Sequence, residues 1–340
     1  MPIPNKTVSV TVNIKKSPIP IVWIDTSLVI NFTKIRLGIK LQNPLKNWTK
    51  NLYHKLADLS KSGKVICPFA DQDDEIWAQR DECLETINTL ALGIHVDSIL
   101  SVRFKLFDIF AKSFVRKEST IDLDYSIIFN DDPINEMQET IRNGYFITTK
   151  HPLYGGADTS KRIRDNLAKQ LNLLREKNVE NNVSKEEQLE HEYKAELYCI
   201  ADSLKYREHF VDQFDYDNFS AMFENTLRMA RHWREICLES GSNDYYLDDY
   251  FNSSHYKAVP SVNIKSHIYA TLLTRKQTIK QSEVKDVEYI SNYLPFVDFF
   301  ITDKERRRQI NKMGFSSEYS TKACYIGDQK SLNAYLDSLQ

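Results

Sequence analysis

The feature that most constrains the fold is a short apolar segment that ends in an acid. Residues 19–24 are Ile-Pro-Ile-Val-Trp-Ile, and Asp25, Thr26 and Ser27 follow directly. A continuous apolar run of this length is typical of a parallel strand that is buried on both faces. In open parallel sheets, ligands bind at the carboxyl ends of the strands. The segment therefore predicts a strand, with Asp25 as a candidate site residue at its end.

An alternation of strand and helix patterns occurs at both ends of the chain but not in its middle. Near the start it predicts a helix over residues 45–61, a strand over 64–68 and a helix over 71–92. Near the end it predicts helices over 286–293, 304–313 and 330–339, with strands over 296–303 and 322–326. Residues from about 98 to 240 have an almost entirely helical pattern. We therefore expect an α/β domain formed by residues 1–95 and 260–340, split by a mainly helical insertion over 96–259.

Composition limits the classes of protein that fit. The chain has 340 residues and a net charge of −2, so any nucleic-acid site would have to be a local basic patch. Its five cysteines are far apart and form no CxxC pair, which argues against a zinc site or a disulfide framework. No apolar run approaches the roughly 18 residues of a membrane span. These properties predict a cytoplasmic protein with no membrane partner.

Four acids stand at the ends of predicted strands or near the starts of predicted helices. Asp25 and Asp303 each end a strand, Glu75 lies in the first turns of a helix, and Asp286 begins one. This topology would bring all four near one rim of the sheet. Carboxylates gathered in this way repel each other unless a cation compensates, and their hard oxygens suit Mg²⁺ or Mn²⁺. Asp298 is a weaker, supporting candidate, because its side chain should point to the opposite face from Asp303.

Each of these residues also has a purely structural interpretation. Asp25, Asp286 and Asp303 would serve equally as helix N-caps, and Glu75 as a solvated acid in a first helical turn. Arg306 and Arg307 follow the candidate site in sequence. They would bind substrate phosphates there or form the solvated face of a surface helix.

The two ends of the chain resemble PIN-like nucleases, in particular the larger bacterial members. Residues 24–30, Ile-Asp-Thr-Ser-Leu-Val-Ile, are similar to the opening PIN motif, and residues 286–303 are similar to the closing half. One departure is that Thr302 and Asp303 are adjacent here, whereas many PIN domains have one residue between them. The resemblance implies a three-layer α/β/α fold with a parallel sheet. It also implies catalytic, metal-binding acids, assisted by a hydroxyl of Thr26 or Ser27: Asp25, Glu75, Asp286 and Asp303.

The functional hypothesis that follows is a metal-dependent endonuclease that uses Mg²⁺ or Mn²⁺ and leaves a 5′-phosphate. By the same resemblance, RNA is the first-choice substrate, DNA the second, and a toxin or defence role fits. The alternative is a non-catalytic PIN-like interaction module that works through its helical insertion. A third hypothesis is a nuclease that stays silent until a regulatory protein partner moves the insertion. The expected protein partners are such a regulator or further copies of the chain in a homo-oligomer.

Overall fold

The computed structural model describes residues 9–41, 45–70, 80–144, 156–198, 228–241 and 246–339. The chain divides into two compact units. The helical unit comprises residues 1–13, 103–122 and 170–279, and the sheet unit comprises residues 14–102, 123–169 and 280–340. The sheet unit therefore contains α/β elements from both ends of the chain. It also contains residues 123–169, which the sequence analysis placed in the insertion.

The fold is mixed α/β, with short strands and many helices. The strands are β1 (Thr11–Lys15), β2 (Val22–Ile24), β3 (Thr120–Asp124), β4 (Phe299–Thr302) and β5 (Lys322–Tyr325). The first seven helices are α1 (Thr26–Arg36), α2 (Lys46–Lys61), α3 (Arg80–Ala91), α4 (Ile99–Arg116), α5 (Pro133–Asn143), α6 (Gly156–Glu180) and α7 (Lys185–Tyr193). The others with defined bounds are α8 (Leu247–Phe251), α9 (Ser254–Ala258), α10 (Pro260–Thr274), α11 (Gln281–Tyr293), α12 (Lys304–Lys312), α13 (Phe315–Glu318) and α14 (Gln329–Ser338).

The main sheet is parallel and has the order β2-β4-β5. Ile24 pairs with Ile301, and Thr302 pairs with Tyr325. Two further extended segments continue this arrangement beyond β2 through isolated parallel bridges, Ile21 to Ile66 and Phe69 to His95. Across the sheet, neighbouring segments therefore lie in the order 94–96, 66–69, β2, β4 and β5. Numbered by position along the chain, this spatial order is 3-2-1-4-5.

Both faces of β2 are buried, as its apolar sequence predicts. Trp23 lies on one face, where its ring centroid is 4.8 Å from that of Tyr293 on α11 and 5.7 Å from that of Phe300 on β4. Val22 and Ile24 lie on the other face, since side chains alternate along a strand. There they join a core built with α1, α2, α3 and α14, which includes Leu28, Phe32, Leu52, Leu56, Ile87, Leu332 and Leu336.

The helical unit has a core of its own. Tyr250 on α8 is fully buried among the rings of Phe107, Phe114, Trp233 and Tyr256. Elsewhere in this unit α6, α7 and α10 pack together, and Asn178 donates to Gln188 over 2.7 Å. Strand β3 lies in a region for which the sequence predicts an almost entirely helical pattern, and it pairs with β1 in a separate two-stranded sheet. The described part of that region is therefore mainly, but not wholly, helical.

Lys16 connects the first strands to the far end of the chain within the sheet unit. Its ammonium donates to Pro295 O over 2.9 Å, to Val297 O over 2.7 Å and to Thr321 Oγ1 over 2.9 Å. Burial lowers the pKa of Lys16 to about 8, although the Asp298 carboxylate nearby opposes this change. One side chain thus ties the turn before β4 to the turn before β5.

We expect Lys16→Met to lower the free energy of unfolding by roughly 2–3 kcal/mol, because it leaves buried carbonyl groups without their donor. Lys15→Met is the matched control. The Lys15 side chain is 79% exposed, and its ammonium lies 3.7 Å from Asp124 Oδ2, so its loss should cost under about 0.5 kcal/mol. Urea unfolding of both variants checks this prediction. Equal effects in the two variants would contradict it.

Candidate carboxylate site at the end of the sheet

The neighbouring strands β2 and β4 lie where the order of the sheet reverses. From β2 the chain goes to 66–69 and 94–96 on one side, and later to β4 and β5 on the other. In open parallel sheets, ligands bind at the carboxyl ends of the strands beside this reversal. Asp25 follows β2 there, and Asp303 follows β4. The structure thus brings these two predicted site residues to one edge.

Asp25 caps α1, and the capping hydrogen bonds use one of its two carboxylate oxygens. Its Oδ1 accepts from Ser27 N over 2.8 Å and from Ser27 Oγ over 2.6 Å. Within the described residues, its Oδ2 has only a long contact, in which Thr302 Oγ1 donates over 3.4 Å. The backbone N–H of Asp25 donates to Ile301 O over 3.0 Å, which fixes the residue against β4. The predicted role of Asp25 as an N-cap is therefore confirmed, and one carboxylate oxygen is left for a ligand.

Asp303 has the same arrangement at the end of β4. Its Oδ1 accepts from Arg306 N over 2.8 Å, so Asp303 caps α12 as its structural interpretation predicts. The side chain is exposed, and its Oδ2 has no hydrogen-bond partner among the described residues. Capping occupies one oxygen of each carboxylate, so it does not compete with a ligand at the other oxygen.

The environment of Asp25 disfavours its charge. Burial raises the pKa of the Asp25 carboxyl, and the charge of Asp303 raises it further. The hydrogen bonds from Ser27 and Thr302 oppose this shift without cancelling it. A bound cation would oppose both effects, because its positive charge compensates the negative charges of Asp25 and Asp303.

Asp286 differs from its prediction. The helix that contains it begins at Gln281, so Asp286 lies inside α11 and is not an N-cap. The earlier start is stabilised by Glu283, whose side chain accepts from Lys280 N over 2.8 Å. Asp286 lies 3.2 Å from Arg306 Nε, and Glu283 forms an ion pair with Arg306 Nη2. The Asp286 carboxylate is thus neutralised by an arginine, whereas Asp25 and Asp303 form no ion pair with a basic side chain of the described residues.

The two predicted phosphate-binding arginines occupy different environments. Arg306 is only 4% exposed and is held inside by Glu283, Asp286 and Gln309. It is therefore not on a solvated helix face. Arg307 is half-buried, and its Nη2 donates to Asp328 over 2.8 Å. Asp328 was not among the predicted site residues; it lies three residues after the end of β5, between that strand and α14.

The remaining predicted residues are placed as follows. Glu75 lies outside the described residues. Thr26 and Ser27 are the first residues of α1 beside Asp25, and Ser27 Oγ donates to the Asp25 carboxylate.

Asp298 lies at the amino end of β4, on the opposite edge from Asp303, where its Oδ2 accepts from Ile21 N over 2.8 Å. Burial raises the pKa of Asp298, and this position joins it to Ile21 rather than to Asp25.

The donor set fits a hard cation in its chemistry, because both available atoms are carboxylate oxygens. It is incomplete within the described part of the chain, where no group of three or more His, Cys, Asp or Glu side chains is arranged to hold a metal ion. Further ligands would have to come from water, from a substrate phosphate, or from residues such as Glu75 that lie outside that part.

Comparison with known proteins found no family model, curated protein or solved structure that matches this chain. Among the described residues, the structure contains no helix with the length and apolarity that crossing a membrane requires.

Proposed function

We propose that the protein is a metal-dependent endonuclease of PIN-like, three-layer α/β/α fold, in which Asp25 and Asp303 hold Mg²⁺ or Mn²⁺. One observation carries the proposal. Asp25 and Asp303 follow neighbouring parallel strands at the reversal of the sheet order, and neither is neutralised by a basic side chain of the described residues. Asp286 and Asp328, by contrast, are each paired with an arginine.

Each part of the edge has a role in this proposal. Asp25 and Asp303 supply the ligating oxygens, while Ser27 and Thr302 orient the Asp25 carboxylate. A divalent ion, when bound there, supplies charge stabilisation and an activated water for phosphodiester hydrolysis. Glu75 is the further acid that the PIN resemblance implies. RNA before DNA as substrate, and a toxin or defence role, rest on that resemblance alone.

A second candidate is the non-catalytic interaction module, and one observation favours it. Asp25 and Asp303 both have a structural role as N-caps, and no third free acid accompanies them in the described residues. Metal dependence separates the two functions, because a module would neither bind Mn²⁺ at these residues nor cleave nucleic acid.

The test is cleavage of labelled single-stranded RNA, single-stranded DNA and duplex DNA with Mn²⁺, Mg²⁺ or EDTA. We expect cutting only with metal, and its loss in Asp25→Asn and in Asp303→Asn. Asp132→Asn is the matched control, because Asp132 caps α5 through an i to i+2 bond like that of Asp25 but lies far from it in sequence. Activity that survives both site variants, or that persists in EDTA, would refute the proposal. A chain that neither cuts nor binds Mn²⁺ would favour the module.

A further inference from the structure

Arg307 is held in a fixed position by two neighbours, Tyr325 and Asp328. Its guanidinium carbon lies 5.0 Å from the ring centroid of Tyr325, so the cation rests over the aromatic face. Its Nη2 donates to Asp328 Oδ1 over 2.8 Å, and Asp328 Oδ2 accepts from Tyr325 N over 3.1 Å. The ring, the acid and the arginine thus form one connected cluster, which we call the Arg307 cluster.

Gly327 shapes this cluster. A Cβ atom at this position would overlap the ring of Tyr325, so the ring lies directly against the glycine backbone. Asp328 N donates to Tyr325 O over 2.8 Å and closes a tight turn around the ring. The position of the Tyr325 ring beside Arg307 therefore depends on glycine at position 327.

The cluster leaves most of the guanidinium unused. A guanidinium has five N–H donors, and the described residues accept a hydrogen bond from Nη2 alone. Nε is buried and has no hydrogen-bond partner there. An arginine whose plane is fixed while donors remain is suited to a phosphate, which accepts two parallel hydrogen bonds.

The position of Arg307 relates it to the candidate carboxylate site. Arg307 is four residues after Asp303 on α12, about one turn and about 6 Å along the helix axis, and it lies on the same side of the helix. Tyr325 is the register partner of Thr302, whose hydroxyl contacts Asp25. The Arg307 cluster therefore lies on the same sheet edge, on the β5 side of the acids.

We infer that Arg307 binds a backbone phosphate of the nucleic acid adjacent to the bond held at Asp25 and Asp303, with Tyr325 and Asp328 as positioning residues. The inference rests on the proposed function for its substrate class. The sequence predicts the same role for both arginines, but the inference gives them different ones. Arg307 contacts substrate, whereas Arg306 forms buried ion pairs with Glu283 and Asp286.

The test is the binding of a short labelled single-stranded RNA to the full chain in EDTA, measured by fluorescence anisotropy over a range of salt concentrations. We expect Arg307→Gln to weaken binding roughly 10-fold and to reduce the slope of log affinity against log salt by about 0.7. Arg308→Gln is the matched control on the same helix. Its side chain is 72% exposed and pairs only with Glu305, so binding should change less than about twofold.

A double variant guards against an indirect effect. Arg307→Gln leaves the Asp328 charge unpaired, and that charge alone could repel RNA. In Arg307→Gln with Asp328→Asn this charge is absent, and we expect the loss of affinity to persist. Wild-type affinity in Arg307→Gln, its recovery in the double variant, or an equal loss in Arg308→Gln would each overturn the inference.

The binding assay and the cleavage assay can fail separately. If Asp25→Asn abolishes metal-dependent cutting but Arg307→Gln binds RNA normally, the nuclease proposal stands and the role of Arg307 is wrong. If the chain never cuts but Arg307→Gln loses affinity and salt dependence, the phosphate contact stands without the catalysis.

Discussion

Asp25→Asn is expected to make the metal-free protein more stable at neutral pH while it abolishes cleavage. Burial and the Asp303 charge raise the pKa of Asp25, so the ionised carboxylate lowers the stability of the folded state at neutral pH. Asparagine removes the charge but keeps an oxygen that can accept from Ser27 N, and asparagine is as good an N-cap as aspartate. We expect a gain of about 1 kcal/mol, seen as a rise of a few degrees in the thermal midpoint in EDTA.

The pH dependence of this gain has a definite sign. Because the pKa of Asp25 is raised in the folded state, folded Asp25 binds more protons than unfolded Asp25 at pH values above about 3.8. Stability therefore falls as the pH rises through this range. The advantage of Asp25→Asn should therefore be largest at neutral pH and should vanish near pH 4 and below. Asp132→Asn, which changes an exposed cap, should show no such dependence. A variant less stable than wild type at pH 7 would show that Asp25 is only a structural cap.

Arg306→Met is expected to cause the largest loss of stability among the basic residues of α12. The Arg306 side chain is 5% exposed, and those of Glu283 and Asp286 are 7% and 20% exposed. Methionine fills similar space but leaves two carboxylates without their counter-charge in a poorly solvated place. Breaking a buried ion pair from one side costs roughly 3–5 kcal/mol, and urea unfolding should show a loss of that size.

The neighbouring residue supplies the comparison for Arg306. Arg308→Met removes an exposed i, i+3 pair with Glu305 and should change stability by less than about 0.5 kcal/mol. Arg306→Met with stability close to that of Arg308→Met would contradict the buried network. Because Arg306 lies in the first turn of the helix capped by Asp303, a real loss would also weaken the site.

Strands β2 and β4, which carry the two acids, were predictable because their apolar runs are short and each is followed directly by an acid. Residues 22–24, 299–302 and 322–325 form strands within the predicted ranges, and Asp25 and Asp303 follow them. Helices over 46–61, 304–312 and 329–338 also form close to their predicted bounds. Local pattern suffices here because burial on both faces leaves a strong signal over few residues.

Other features depend on contacts that local sequence does not encode. The sequence offers more than one start signal before Asp286, including Ser282 and the pair Thr278 and Gln281, and the start at Gln281 after Lys280 depends on the capping contact of Glu283. The burial of Arg306 depends on two acids of α11, some 20 residues earlier in the chain. Asp328 was not predicted, because it lies three residues after the end of β5, whereas Asp25 directly follows β2. The order of the strands, which makes β2 and β4 neighbours, comes only from long-range pairing.

Calorimetric titration with Mn²⁺ tests whether Asp25 and Asp303 hold one divalent ion together. Wild type, Asp25→Asn, Asp303→Asn and the double variant form a cycle. If both acids bind the same ion, each single variant should lose most of the affinity, and the double variant should lose little more than either one. No Mn²⁺ binding by the wild-type chain, or affinity unchanged in both single variants, would show that Asp25 and Asp303 do not hold the ion.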